Sequence, residues 1–271
     1  LCLDGDQEQE QQDKRTHGRV FRFPSSVYSH NASARDMWSK TGLPALHSLW
    51  SGTSGTIVAI GCSNSGKSHT LFGDSSFTND MGLLKMFLNR LFILVDYHNN
   101  NISQDEDEPE SSRTTVSLSA AEFYSEHTVL DLLRPDARTQ LTVRRSKEMK
   151  RSYIEGLSHH SIFNSRSAIK VLKEALQVRA LGLSNRNIQR GESSLVINVS
   201  LHRYSKDSGQ ILSTSTLRFV DTASCRDVLS LCSDDVCPER LGSVASLFRS
   251  IGHLGSSTVT QHPEEDVSPL S

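Results

Sequence analysis

One octapeptide near the end of the first quarter of the chain constrains the fold more than any other segment. Residues 61–68 read GCSNSGKS, a Gly-x-x-x-x-Gly-Lys-Ser pattern, and the apolar run 56–60 precedes it as a short buried strand would. At this spacing the glycines let backbone N–H groups curl around phosphate oxygens, and the following helix presents the positive end of its dipole. Ordinary residue usage would give the pattern by chance in roughly 1% of chains this long. The segment is therefore interpreted as a phosphate-binding loop between a strand and a helix.

The chemistry of such a loop assigns a role to each of its parts. Lys67 would reach the β- and γ-phosphates of a nucleotide, and the Ser68 hydroxyl would bind Mg²⁺. The residues expected to enclose the phosphates with their backbone are Gly61, Cys62, Ser63, Asn64, Ser65 and Gly66. The loop therefore predicts a nucleotide and Mg²⁺ as ligands.

Composition and charge exclude several other classes of protein. The chain has 271 residues, 36% of them hydrophobic, which is enough to bury a full core. Its net charge of -2 argues against a strongly basic surface for nucleic acid. The five cysteines are odd in number and form no Cys-x-x-Cys pair, which argues against a disulfide framework and favours a reducing compartment. No apolar run approaches the roughly 18 residues that span a membrane, so neither a membrane nor nucleic acid is an expected partner.

Strand and helix patterns alternate along the chain. The predicted strands are residues 19–23, 56–60, 114–124, 195–202 and 217–221. The predicted helices are residues 33–51, with a break or bend at Pro44, and 82–95, 167–183 and 241–254. A polar lead-in is expected at 1–16 and an acidic, solvated loop at 98–113. This alternation predicts one α/β domain over residues 1–271, layered around a central sheet.

The segments around the loop resemble the kinesin motor domain. Residues 61–73 read GCSNSGKSHTLFG, similar to the family's GQTGSGKTxTMxG, and residues 20–28 (VFRFPSSVY) resemble its F-x-F-D-x-V-F strand, with Pro24 in place of Asp. Residues 115–133 (TVSLSAAEFYSEHTVLDLL) resemble a family strand and its EIYNE-DLL element, and residues 154–157 (IEGL) resemble its v-x-GL segment. The order of these segments along the chain matches the order in the family.

The second half of the chain carries two further segments of this kind. Residues 179–187 (RALGLSNRN) resemble R-x-x-A-x-T-x-M-N, and residues 217–226 (LRFVDTASCR) resemble L-x-L-V-D-L-A-G-S-E. The resemblance covers nearly the whole chain but lacks the family's first strand and everything after the loop before its fifth main helix. Because the chain also begins at Leu1, we interpret it as part of a longer protein. The resemblance implies a three-layer α/β sandwich with a central mixed sheet, a P-loop NTPase of the kinesin motor type.

The resemblance also implies roles for particular residues. Asn187 and Asp221 fall on the family's catalytic Asn and Asp, and Mg²⁺ is expected to be held by Ser68 and through a water on Asp221. His69 stands where the family places an aromatic residue or a histidine beside adenine; the alternative is a histidine on the helix surface. The implied cofactors are ATP or ADP with Mg²⁺, the implied partner is the microtubule, and the implied location is the cytoplasm and cytoskeleton.

The two nucleotide-sensing switches differ from the family pattern. Switch I, N-x-x-S-S-R-S-H in kinesins, reads NIQRGESS at 187–194, with Gly191 at a serine that helps to hold Mg²⁺. Switch II, D-x-x-G-x-E, reads DTASCR at 221–226, and the Cβ of Ser224 restricts a backbone position that is glycine in the family. These changes predict slow or absent hydrolysis.

Charges are altered in two further places. Glu192 and Arg226 occupy the positions of the family's paired switch Arg and Glu, with the signs exchanged, so either a reversed salt bridge or independent drift explains them. Residues 262–271 read HPEEDVSPLS where the family has H-V-P-Y-R-D-S-K-L-T. Because tubulin's surface is acidic, the acidic residues 264–266 predict weakened microtubule binding.

Three functions remain open from the sequence. The first is a kinesin-like protein that binds nucleotide, and microtubules or a partner protein, with little turnover. The second is an active ATP-driven microtubule motor that tolerates its unusual switches. The third is an unrelated P-loop enzyme such as a small-molecule kinase, which leaves the ordered kinesin-like segments unexplained. Further protein partners would bind through regions outside this chain.

Overall fold

A computed structural model describes residues 32–62, 64–73, 82–101, 112–124, 129–135, 141–146, 151–185 and 193–223. The chain separates into two compact units, residues 1–33 and 34–271, and every element below belongs to the second. The lead-in predicted at 1–16, the strand at 19–23, the helix at 241–254 and the loop at 264–266 lie outside the described residues.

Eight strands lie within the described ranges, and they form a central sheet and a separate hairpin. They are β1 (Gly55–Ala59), β2 (Ser112–Phe123), β3 (Val129–Asp131), β4 (Thr142–Ser146), β5 (Arg151–Glu155), β6 (His160–Ile162), β7 (Ser194–Ser205) and β8 (Ile211–Asp221). The central sheet has the order β1-β8-β7-β2-β3, and β6 also pairs with β2. The β1–β8 pair is parallel and the other pairs are antiparallel, which makes the sheet mixed, as predicted. Strands β4 and β5 pair with each other.

The described helices pack against one face of this sheet. They are α1 (Ala34–Met37), a π-helical turn (Trp38–Gly42), α2 (Leu43–Trp50), α3 (Lys67–Phe72), α4 (Leu83–Asn101) and α5 (Ser165–Asn185). Side chains alternate along each strand, so Leu118, Val199 and Leu217, which are register partners across three strands, share one face. They join the main core with residues of α2, α3, α4 and α5, including Phe87, whose ring meets that of Phe219 edge to face. The α/β fold with a mixed central sheet is therefore confirmed.

The break or bend predicted at Pro44 corresponds to an irregular stretch of helix that ends two residues before this proline. Pro44 lies in the first turn of α2, which continues without a gap from the helical residues before it, so its missing N–H removes one bond from the helical ladder. The irregularity comes just before it, in the π-helical turn, where a Cβ on Gly42 would collide with the Trp38 ring. The wide turn thus makes room for an indole that packs against the core.

The loop between α4 and β2 is shorter at both ends than the predicted range 98–113. Helix α4 continues to Asn101 and β2 begins at Ser112, and residues 102–111 are not among those described. The Asn99 side chain explains the longer helix, because its amide donates to the Thr114 carbonyl and accepts from the Thr114 N–H, both at 2.9 Å. A polar helix end is therefore fixed to the first residues of β2. None of the helices in the described ranges is long and apolar enough to cross a membrane.

The opposite face of the sheet carries polar side chains, among them His202 of β7. Its Nε2 lies 2.9 Å from Ser117 Oγ and its Nδ1 lies 3.1 Å from Thr214 Oγ1. Burial lowers the pKa of His202, and the nearby His159 lowers it further. Burial also lowers the pKa of His159, partly offset by Asp131. Both histidines therefore resist protonation in the folded state.

We expect His202 to make the fold less stable in acid. In the unfolded chain a histidine has a pKa of about 6.5, so below that pH the unfolded state takes up the proton first. Its contribution to the free energy of unfolding is complete above about pH 6.5 and is lost as the pH falls through the lower, folded pKa. Urea unfolding at about pH 8 and about pH 5 measures how much of the free energy of unfolding is lost in acid. This loss should be smaller in His202→Gln than in the unmodified protein. His47→Gln, at an exposed position, should lose as much as the unmodified protein. Equal losses in His202→Gln and the unmodified protein would contradict this.

Candidate functional site

The loop predicted to bind phosphate does connect a strand to a helix. It leaves β1, turns back through Asn64 and Gly66, and enters α3 at Lys67. Asn64 has φ 60° and Gly66 has φ 88°, and glycine adopts the left-handed region without a steric penalty. A Cβ on Gly61 would lie 2.5 Å from Ser65 Oγ, so a side chain at this position would displace the Ser65 hydroxyl. The two glycines of the motif thus serve different needs, space at the first and backbone conformation at the second.

Lys67 folds back over the loop that precedes it. Its ammonium donates to the carbonyls of Gly61 at 2.9 Å and of Cys62 at 2.8 Å. The Thr70 N–H donates to the Gly66 carbonyl at 2.8 Å and closes the first turn of α3. The ammonium is therefore held at the loop itself, where a phosphate bound by the loop would meet it.

The sheet register brings the two predicted metal residues together. Because β1 and β8 are parallel, with Ala59 opposite Asp221, the carboxyl ends of both strands reach the same edge. Ser68 Oγ donates to Asp221 Oδ2 at 2.7 Å, although the two residues are 153 positions apart. The Thr222 hydroxyl donates to the Ala59 carbonyl at 2.9 Å and fixes the end of β8 against β1.

A buried charge network, which the sequence did not predict, lies beside this pair. Arg179 of α5 donates from Nε to Glu122 Oε1 at 3.1 Å, from Nη1 to Asp221 Oδ2 at 3.2 Å, and from Nη2 to the Ser193 carbonyl at 3.2 Å. The side chains of Arg179, Glu122 and Asp221 are 14%, 1% and 3% exposed. In the sheet register, Leu195 of β7 lies opposite Glu122 of β2 on one side and opposite Asp221 of β8 on the other. The guanidinium therefore bridges β2 and β8 across Leu195. One sequence signal for this network was available: Glu122 directly follows an uncharged strand run, Val116–Ala121.

The other predicted site residues fall into two groups. Cys62, Asn64, Ser65, Gly66, Ser68 and His69 are exposed at the loop and the start of α3. Ser63 and Asn187 lie outside the described residues, as do the changed switch positions Gly191, Glu192, Ser224 and Arg226. The roles expected for Asn187 and His69 therefore stay predictions.

The residues at this edge of the sheet fit a Mg²⁺ ion that shares its ligands with a nucleotide. Asp221 Oδ1 is buried and has no hydrogen-bond partner in the described part of the chain, which is an unusual state for a carboxylate oxygen. Within the described ranges no group of three or more His, Cys, Asp or Glu side chains is placed to hold a metal. Mg²⁺ commonly needs only one or two protein carboxylates, with waters and substrate phosphates as its other ligands. Asp221 and the Ser68 hydroxyl match that requirement.

A glycine-rich loop between a strand of the main sheet and a helix, with a carboxylate on the neighbouring parallel strand, defines a P-loop nucleotide-binding fold. The chain belongs to the kinesin motor domain family, because the sequence model of that family matches residues 3–256. This membership excludes the third function, an unrelated P-loop enzyme.

Individual relatives agree with the family. The chain is 28% identical over 216 residues to the kinesin-like protein KIN-6 of Arabidopsis thaliana, covering 78% of this chain and 20% of that protein. It is 31% identical to KIN-6 of Oryza sativa subsp. japonica, covering 78% of this chain and 21% of the relative. It is 26% identical to the kinesin-like protein unc-104 of Caenorhabditis elegans, covering 87% of this chain and 14% of that protein. The chain thus spans 14 to 21% of the length of these three relatives.

A solved structure agrees with the fold. The structure of a fast kinesin superposes with a TM-score of 0.66 at 18% identity, covering 84% of this chain and 59% of that chain. This likeness supports the architecture of the domain.

Proposed function

We propose that this chain binds Mg-ATP and Mg-ADP at the 61–68 loop, interacts weakly with microtubules, and hydrolyses ATP slowly or not at all. One observation carries the nucleotide part of the proposal, the 2.7 Å hydrogen bond from Ser68 to Asp221 beside a loop that already holds the Lys67 ammonium. These are the three side chains that P-loop proteins use around the phosphates and their metal.

Each of the three side chains has a defined task in binding. The Lys67 ammonium exchanges neutral carbonyl partners for charged phosphate oxygens, which form stronger hydrogen bonds. Ser68 and Asp221 provide oxygen ligands at the edge of the loop, directly or through water. When bound, Mg²⁺ neutralises phosphate charge. Of the two switch segments, binding thus requires only Asp221, which agrees with the family pattern, and none of the changed positions.

Hydrolysis makes a stricter demand than binding. In phosphoryl transfer the protein mainly positions water, metal and phosphate, so the loss of a positioning group is costly. Gly191 lacks the hydroxyl that the family pattern has at that place, and Ser224 replaces a glycine. We therefore expect nucleotide to be held without efficient turnover.

The microtubule part of the proposal comes from the family, whose motor domains bind microtubules. Weak rather than strong binding follows from the acidic residues at 264–266, because like charges repel across an interface with acidic tubulin. Interaction with microtubules would locate the protein in the cytoplasm, on the cytoskeleton.

Reversing this acidic charge should strengthen microtubule binding. The triple variant Glu264→Lys, Glu265→Lys, Asp266→Lys should pellet with microtubules about 10-fold more tightly at low salt, and the gain should shrink at high salt because salt screens the attraction. The matched control reverses three exposed acids elsewhere, Asp96, Glu174 and Asp207, and alters the net charge equally. An equal gain in the control would mean that net charge alone, and not this loop, limits binding.

The second candidate function is an active ATP-driven microtubule motor. The family membership favours it, since the match to the motor domain spans residues 3–256 and includes both switch segments. The two candidates differ in turnover and agree on binding. Calorimetry with Mg-ADP on the full-length protein tests what they share, because both require saturable binding and a protein that releases no heat of binding would refute both.

A further inference from the structure

We propose that Cys62 and Cys225 form a reversible disulfide that prevents nucleotide binding, which makes the phosphate-binding loop a redox-sensitive site. The inference rests on the proposed nucleotide function. Cys62 is an exposed, free cysteine at the second position of the loop. The family pattern has Gln at this position and Ser at the position of Cys225, so both thiols depart from that pattern.

The paired ends of β1 and β8 bring the two cysteine-containing segments to the same place. The strands are parallel with Ala59 opposite Asp221, so both segments start from the same edge of the sheet. Thr222 still contacts β1, because its N–H and its hydroxyl both donate to the Ala59 carbonyl, at 3.2 and 2.9 Å. Cys62 is three residues beyond Ala59, and Cys225 is three residues beyond Thr222. The two cysteines are therefore equally far along the chain from one hydrogen-bonded pair.

A disulfide has strict geometric requirements, which a chain of this length can meet. The two Cα atoms must come within about 4.4–6.8 Å of each other. Adjacent strands lie about 4.8 Å apart, and each further residue adds at most about 3.5 Å of reach. The Cys62 backbone is fixed, because its carbonyl accepts from the Lys67 ammonium at 2.8 Å and from the Ser65 N–H at 3.3 Å. Bond formation therefore requires the segment that carries Cys225 to come to the loop.

Hydrogen peroxide is the oxidant for this step. The exposed Cys62 thiolate attacks one peroxide oxygen and becomes a sulfenic acid, and the other oxygen leaves as hydroxide. The Cys225 thiolate then attacks the Cys62 sulfur, which forms the S–S bond and releases a second hydroxide. The two hydroxides take up the two protons that the thiols lost and become water. Reduction by a dithiol reverses the step, as expected for a transient disulfide in a reducing compartment.

The cross-link and the nucleotide exclude each other. The loop is expected to enclose the phosphates and Asp221 to hold their metal, so phosphate and Mg²⁺ would lie between the loop and the segment that follows Asp221. A Cα–Cα distance of at most about 6.8 Å leaves no room for both between the two cysteines. Because such exclusion is reciprocal, bound nucleotide should protect the thiols from oxidation.

Peptide mapping of the full-length protein by mass spectrometry detects the bond directly. We expect hydrogen peroxide to join the peptides that contain Cys62 and Cys225, and dithiothreitol to separate them. Mg-ADP at about 100 times its dissociation constant should slow cross-linking about 100-fold, since only about 1% of the protein is then free. Calorimetry should show that the oxidised protein binds Mg-ADP about 100-fold more weakly and recovers after dithiothreitol.

Cys225→Ser, which restores the serine of the family pattern, is the main variant. It should form no cross-link at Cys62, and peroxide should change its affinity for Mg-ADP far less than that of the unmodified protein. Cys237→Ser is the matched control, because it removes one thiol from the same part of the chain. It should cross-link and lose affinity as the unmodified protein does.

The outcomes separate this inference from the proposed function. If the reduced protein binds no Mg-ADP, both are overturned. If the reduced protein binds Mg-ADP but peroxide yields only singly oxidised Cys62, or joins it to Cys232 or Cys237, the inference alone is overturned. A cross-link between Cys62 and Cys225 that leaves the affinity for Mg-ADP unchanged also overturns the inference, and nucleotide binding stands.

Discussion

Lys67→Ala is expected to weaken Mg-ADP binding by at least about 100-fold, because it removes charge-assisted hydrogen bonds to phosphate at a place where no other described residue supplies an ammonium. The side chain already lies over the loop, bonded to the carbonyls of Gly61 and Cys62. Calorimetry on the full-length protein, with bound nucleotide removed beforehand, gives the dissociation constants directly.

The control for this experiment is Lys170→Ala. Lys170 is exposed on α5, where it pairs with Glu174 across one helical turn, so its removal changes the net charge equally without touching the loop. The melting temperatures of both variants show whether the loop change also unfolds the protein. A folded Lys67→Ala variant that binds Mg-ADP like the control would contradict the assignment of the loop.

The double variant Gly191→Ser, Ser224→Gly is expected to raise ATP turnover by about 100-fold or more. It returns the hydroxyl and the glycine that the family pattern has at these positions, and removal of a single transition-state donor from an enzyme commonly costs about 100- to 1,000-fold. Affinity for Mg-ADP should change far less, because binding depends on the loop and Asp221. Steady-state phosphate release in the presence of microtubules measures the effect.

Single changes identify which position limits the rate. If both positions are limiting, Gly191→Ser and Ser224→Gly should each give only part of the gain, and the two gains need not add. Ser208→Gly, in the exposed turn between β7 and β8, is a control for an added glycine and should leave turnover unchanged. A double variant as slow as the unmodified protein would show that the switch substitutions are not the cause of slow turnover.

The phosphate-binding loop could be predicted because its requirements are local. Gly61, Gly66 and Lys67 lie within seven consecutive positions, and the buried strand before them and the helix after them follow from short patterns. Helix α5 could be predicted at 167–183 for the same reason and is found at Ser165–Asn185. Patterns that extend over several turns or strand repeats place an element well and leave its ends uncertain.

The short strands could not be predicted in this way. Strands β3 and β6 have three residues each and exist because β2 offers them an edge, so their formation depends on pairing with a distant segment. The first half of β8, Ile211 to Thr216, is rich in serine and threonine and has no alternating apolar pattern. Its pairing with β7 supplies the order that its own composition does not.

The site shows the same division. Asp221 could be assigned from the resemblance, and the register of β1 and β8 brings it to Ser68. Arg179 could not be assigned a role, because its partners lie 14, 42 and 57 positions away along the chain. A buried ion network of this kind becomes visible only when the sheet order is known. The exchanged charges at Glu192 and Arg226 lie outside the described residues, and their pairing stays a prediction.

ATP turnover by the full-length protein, measured with and without microtubules, distinguishes a nucleotide-binding protein with little turnover from an active motor. We expect saturable Mg-nucleotide binding together with a microtubule-stimulated rate below about 1 s⁻¹. A stimulated rate within the usual range of about 1–100 s⁻¹ would contradict it and would favour the active motor.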